Sequence, residues 1–144
     1  MTKPALTDVI LELHVPDFER VKDFYGKLGF KIVWERAPEG FKGYLVMKKG
    51  ESVLCFWAGN NEVYNHPYFK QFSKDTKRGY GAEIVIFVED IEKFYGKVSK
   101  FAKVVEKLTL QPWGDKDFRV EDPFGYYLRF SSPYNTLYAE KAIK

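Results

Sequence analysis

Residues 111–130 read QPWGDKDFRVEDPFGYYLRF, and the turn inside this stretch decides how the chain is folded around it. In Asp122-Pro123-Phe124-Gly125 the proline presets φ for the second turn position, the aspartate can bond back to the turn backbone, and the glycine tolerates a left-handed conformation. The segment therefore predicts a hairpin. Phe118–Glu121 enters it and Tyr126–Phe130 leaves it. Period-two alternation places Tyr126, Leu128 and Phe130 on one face and Tyr127 and Arg129 on the other. A strand that is apolar on one side and carries an arginine on the other lines something.

Working outward from the hairpin, Glu83–Val88 (EIVIFV) alternates as a strand, with Ile84, Ile86 and Val88 on one side and Glu83, Val85 and Phe87 on the other. Asp90 can cap a helix bearing Ile91, Phe94, Tyr95 and Val98, and Val104–Leu110 supplies a further strand. The first half of the chain has the same order. Val9–Val15 (VILELHV) alternates, with Ile10, Glu12 and His14 on its mixed face. Asp17 caps a helix carrying Phe18, Val21, Phe24, Tyr25 and Leu28, which Gly29 ends. Lys31–Arg36, Gly43–Met47 and Ser52–Ala58 follow as strands, separated by turns at Gly40 and Lys49-Gly50. The tetrapeptide Phe-Tyr-Gly-Lys recurs literally, at 24–27 and at 94–97, in the two helices. Two copies of one unit make an internal repeat.

The expected fold is α+β: two βαβββ repeats whose curved mixed sheets surround a cleft, in one domain covering residues 1–144. Repeat one spans about 9–58, a connector 59–81, repeat two about 82–132, and a tail 133–144. A short helix from Tyr68 to Lys74 is expected in the connector.

The composition, 45% hydrophobic and 18% aromatic over 144 residues, supports a folded core. The charge is +3, with a pI near 8.8. Its positive runs reach only two residues, at Lys48-Lys49 and Lys77-Arg78, too short for a phosphate-backbone stripe, so no nucleic-acid partner is expected. No stretch approaches membrane-spanning length and the first residues do not read as a signal peptide. The expectation is a cytoplasmic protein without a membrane partner. The single cysteine, Cys55, excludes an internal disulfide. The phrases G-x-S-x-G and G-x-G-x-x-G and the phosphate loop are absent.

With the repeat, the phrase DFERVKDFYGKLGF at 17–30 and the phrase EDPFGYYLRF at 121–130, the chain resembles the glyoxalase/bleomycin-resistance/extradiol-dioxygenase superfamily over roughly Val9–Ser132. The run Gln111-Pro112-Trp113-Gly114 before the hairpin makes it look most like the bleomycin-resistance proteins, which bind a drug without turning it over. Enzymes of the superfamily hold a divalent metal with residues that correspond here to Ile10, Cys55, Glu83 and Arg129; Leu54 or Phe56 could stand in the place of Cys55. Of these only Glu83 is an ordinary ligand, since Ile10 has no lone pair and Arg129 is permanently cationic. The resemblance therefore implies no metal and no cofactor, with Glu83 and Arg129 paired where a metal would sit. A shifted metal cluster of Glu12, His14 and Glu83 is the alternative.

Planar residues around the expected cleft suit stacking on flat ligands. Trp34, Trp57, Phe87, Trp113, Phe118 and Tyr127 are the candidates on this ground, with Phe41 and Tyr44 nearby. Together with Glu12, His14, Glu83 and Arg129 they form the expected ligand-binding set. Glu12, Glu51, Glu83, Asp115 and Asp117 could make a locally acidic groove in a mildly basic chain. The expected function is metal-independent binding of a small aromatic or cationic molecule by a homodimer. The alternative is a lyase, isomerase or dioxygenase of the same fold, with Glu83 as catalytic base in the lyase case.

Overall fold

The structure, a computed structural model, describes residues 8–37, 43–58 and 60–137. It divides into two compact units, Met1–Thr76 and Lys77–Lys144, and each contains the β-α-β-β-β order once. The fold class is α+β.

In the first unit, strands β1 (Leu11–His14), β2 (Lys31–Arg36), β3 (Gly43–Lys49) and β4 (Ser52–Ala58) form a sheet in the order β1-β4-β3-β2. β1 runs parallel to β4, and the other pairs are antiparallel. Helix α1 (Phe18–Lys27) starts where the Asp17 carboxylate accepts hydrogen bonds from the backbone N–H groups of Glu19 and Arg20 at 2.9 and 3.3 Å. It ends at Gly29, whose φ of 103° reverses the chain so that the Phe30 N–H donates to the Tyr25 carbonyl. Phe18, Val21, Phe24 and Tyr25 are buried along one stripe of α1, and the Tyr25 ring lies 5.2 Å from that of Phe56. β1 begins at Leu11, two residues later than the sequence pattern suggests, and leaves Val9 and Ile10 exposed.

Of the expected helix from Tyr68 to Lys74 only a 3-10 turn, Phe69–Gln71, forms, and a further 3-10 helix, Asn60–Asn65, precedes it. His66 Nδ1 accepts from the N–H groups of Tyr68 and Phe69, as a capping side chain does, but the turn ends at Phe72, where the backbone becomes extended. Gly40, Phe41 and residues 138–144 of the tail lie outside the described residues.

In the second unit, β5 (Ile84–Phe87), α2 (Ile91–Val98), β6 (Lys103–Leu110), β7 (Lys116–Glu121) and β8 (Tyr127–Ser131) repeat the plan, with sheet order β5-β8-β7-β6. Asp90 caps α2 through the N–H of Lys93 at 3.2 Å. At the hairpin, the Asp122 carboxylate accepts from the N–H groups of Phe124 and Tyr126 at 2.9 and 2.8 Å, and Gly125 closes the turn with φ 104°. β7 starts two residues earlier than expected because the turn at Gln111–Asp115 is tight, with the Gln111 N–H donating to the Asp115 carbonyl.

Register places Ile84, Ile86, Leu128, Phe130, Phe118 and Val120 on the face under α2. Phe118 is thereby corrected from a ligand-facing aromatic to a core residue. It is fully buried, with its ring 4.9 Å from Tyr95 and 5.0 Å from Phe130. The sequence reading placed it near a cleft by its position in the hairpin, but alternation across β7 sends it beneath the helix.

Among the described residues no helix is long and apolar enough to cross a membrane.

Candidate ligand site

The face of the second sheet turned away from α2 carries an unusual share of charge. Alternation brings Asp117 and Arg119 of β7 and Tyr127 and Arg129 of β8 to this face, with Glu106 of β6 opposite Arg119 and Glu83 just ahead of β5. Arg119 and Arg129 are direct cross-strand partners, a repulsive arrangement unless acids intervene. Three do.

Glu83 Oε2 lies 3.5 Å from Arg119 Nε, and its Oε1 lies 3.7 Å from Arg129 Nη1. Glu106 Oε2 is 3.1 Å from Arg119 Nη1. Asp117, with no solvent exposure, accepts from Gln111 Nε2 at 2.7 Å; its Oδ1 is 3.7 Å from Arg119 Nη1 and its Oδ2 is 3.5 Å from Arg129 Nε. Burial alone would lower the pKa of the Arg119 guanidinium, but Glu83, Asp117 and Glu106 outweigh it and raise the group above its ordinary value. Burial, reinforced by the same acids against the opposing pull of Arg119, raises the Tyr127 phenol. Tyr127 stays neutral near pH 7.

A groove of about 500 Å³ lies beside this face, between the loop Lys77–Glu83 and the strand residues Val105, Glu121 and Tyr127. At its edge Glu121 is paired with both Lys77 and Lys103. Beyond β8, Tyr134 packs edge-on against Phe87 at 4.8 Å and accepts a hydrogen bond from Arg129 Nη2 at 2.7 Å.

The corresponding face of the first sheet is aromatic instead. Register places Glu12 beside Cys55 and His14 beside Trp57, with Tyr44 and Val46 across from them on β3. Leu54 and Phe56 point to the α1 face, so Cys55 holds the position opposite Glu12. The Tyr44 hydroxyl donates to the Glu12 carboxylate, and burial together with Cys55 and Glu12 drives the pKa of that phenol far upward. Trp34 stacks on Tyr44 at 5.4 Å while remaining 47% exposed. His14 is buried edge-on against Trp57 at 4.6 Å, and Phe69 from the 3-10 turn stacks over the same indole at 6.3 Å.

Tested against a divalent metal, the four positions do not fit. Ile10 is an exposed aliphatic residue ahead of β1, Arg129 is a cation, and both oxygens of Glu83 already face guanidinium groups. Glu12 and His14 stand on β1 of the first unit and Glu83 precedes β5 of the second. Among the described residues no three His, Cys, Asp or Glu side chains converge as a ligand set.

The expected Glu83–Arg129 pair exists, but as part of a five-residue network that also includes Arg119, Glu106 and Asp117. Arg119 was legible as the residue between Phe118 and Val120 in β7 and therefore on the same face as Arg129. Glu106 depends on the bulge in β6, and Tyr134 carries no periodic signal. Trp113 is half-buried in the β6–β7 turn.

Among solved structures of similar fold, a hypothetical protein of S. aureus superposes with a TM-score of 0.67 at 23% identity, covering 90% of this chain and 96% of that one. A bleomycin-binding protein solved in complex with bleomycin gives 0.58 at 21% identity, covering 89% and 99%. A bleomycin resistance determinant encoded on the transposon Tn5 gives 0.59 at 21%, covering 90% and 99%. At these identities the likeness establishes the fold alone. No curated protein sequence matches significantly. The family model of the Glyoxalase/Bleomycin resistance protein/Dioxygenase superfamily matches residues 9–130, the span that holds both βαβββ units, and the chain belongs to that superfamily.

Proposed function

We propose that the protein binds a small, flat, aromatic molecule without a metal ion, in the manner of an antibiotic-sequestering protein. The observation that carries this reading is Glu83, the one carboxylate among the four metal positions, held between the guanidinium groups of Arg119 and Arg129. A carboxylate so engaged orders a binding surface rather than holding a metal cation. Support comes from the exposed Trp34 stacked on Tyr44, beside the exposed carboxylate of Glu12, a surface suited to a planar ligand with a cationic group. The bleomycin complex among the similar folds makes a drug of that kind the first ligand to test. A lyase or isomerase using Glu83 as base would first have to free that carboxylate from both arginines. The reading includes a cytoplasmic homodimer, in which a second copy covers apolar residues left exposed in one chain, such as Ile32 and Val33.

Tryptophan fluorescence should quench on titration with bleomycin, and the binding curve should be the same before and after dialysis against EDTA. An unchanged signal up to roughly 100 µM ligand, the weak end of useful sequestration, rules out that ligand class. Loss of binding after EDTA treatment overturns the metal-free reading.

A further inference from the structure

Arg129 distributes its three nitrogens unequally. Nε lies against Asp117 and Nη1 against Glu83, both carboxylates, whereas Nη2 donates to the phenol oxygen of Tyr134. Two of the three neighbours are charged, come from the sheet or its entry, and stand at ion-pair distances of 3.5 and 3.7 Å. The third is neutral and belongs to a residue three positions beyond the end of β8. At 2.7 Å the Tyr134 oxygen is the nearest of the three, but it is neutral, and a carboxylate oxygen in its place would meet the same N–H with a full charge, so the Tyr134 oxygen is the replaceable partner. Its ring occupies the space beside Phe87, edge to face at 4.8 Å, in the geometry that aromatic pairs prefer. Tyr134 thus has the shape and chemistry of a ligand: a six-membered arene against Phe87 with an oxygen acceptor on Arg129.

We propose that Phe87 and Arg129 form a subsite for an arene bearing a carboxylate or phenolic oxygen, and that Tyr134 occupies it until such a ligand displaces it. The proposal rests on the reading that the mixed faces of the sheets bind flat molecules, and it adds the class of molecule and a built-in competitor. Glu83 and Asp117 already neutralise the inner side of the guanidinium, so the incoming oxygen gains one strong hydrogen bond rather than a full ion pair. That predicts moderate affinity and a strong dependence on Tyr134. Apparent affinity falls by the fraction of time the competitor leaves the subsite empty.

The test titrates benzoate calorimetrically into the full chain and into Tyr134→Ala and Tyr134→Phe. Removing the whole side chain should tighten benzoate binding by about tenfold, as expected for a subsite filled about nine-tenths of the time. Tyr134→Phe, which keeps the ring but loses the oxygen, should lie between the wild type and Tyr134→Ala. Benzamidine, of similar size but cationic, should gain nothing from either change. Adding Arg129→Lys to Tyr134→Ala should remove the gain. Residue 134 is half-buried and outside the sheet, so the two Tyr134 variants stay folded and decide the matter by themselves. Equal benzoate affinity in wild type and Tyr134→Ala overturns the proposal, as does a gain for benzamidine equal to that for benzoate. Bleomycin quenching, read on the same samples, separates the two ideas: quenching that persists while Tyr134 has no effect on benzoate removes the subsite alone.

Discussion

At Asp117 a carboxylate without solvent exposure meets two guanidinium groups and a carboxamide. Removing one member of a buried ion pair costs about 3–5 kcal/mol where its partner is left poorly compensated, and without Asp117 the Arg129 guanidinium keeps only Glu83, at 3.7 Å, and the neutral Tyr134. Asp117→Ala should therefore lower the unfolding free energy by about 3 kcal/mol in urea titration. Glu106 faces Arg119 from a half-open edge, its side chain 43% exposed, where an ion pair contributes under about 1 kcal/mol. Glu106→Ala should be nearly silent by comparison. Equal effects at the two positions would show that the network is not anchored at its buried end. In sequence the two acids look alike; only the burial of β7 and the exposure of β6 tell them apart.

The β7–β8 hairpin was the most legible element, because the chemistry of its turn is local. Asp122, Pro123 and Gly125 each satisfy a requirement of the backbone within four residues, and the structure keeps the roles of Asp122 and Gly125. The end of β7 adds a pH-sensitive clasp. Hydrogen bonds from Lys103 and Lys77 hold the Glu121 carboxyl below its ordinary value of 4.5. A depressed folded-state pKa contributes stability that is present above 4.5 and is lost as the pH falls through the folded value. Thermal unfolding followed from pH 6 to pH 3 should show a shallower loss for Glu121→Gln than for the wild type, and 0.5 M salt should shrink the difference, since both lysines are exposed. Parallel curves would mean that the clasp does not form. The connector was less legible: its Tyr68–Lys74 pattern suggests a helix, whereas only a short 3-10 turn forms there and the backbone becomes extended at Phe72.

On the scale of the whole chain, two units share one topology and present different mixed faces, one aromatic around Trp34, Tyr44 and Trp57, the other a network of arginines and carboxylates. Each unit also leaves apolar residues exposed, Ile32 and Val33 in the first and Val105 and Leu110 in the second, and the proposed homodimer makes a prediction about mass. Sedimentation equilibrium at micromolar concentration should give twice the 16.9 kDa chain mass, and a purely monomeric sample would sink the homodimer.

The sequence by itself determined the repeat, the order of strands and helices, the hairpin turn and which residues of a strand share a face. All of these follow from periodicities and caps that act over a few residues. Tertiary structure alone decided that Phe118 belongs to the core, that Cys55 stands opposite Glu12, that Arg119 and Asp117 complete the Glu83–Arg129 pair, and that Tyr134 comes back to Arg129. Each of these depends on which strands become neighbours and in what register. A register is set by the summed packing of a whole sheet face and leaves no mark at any single position.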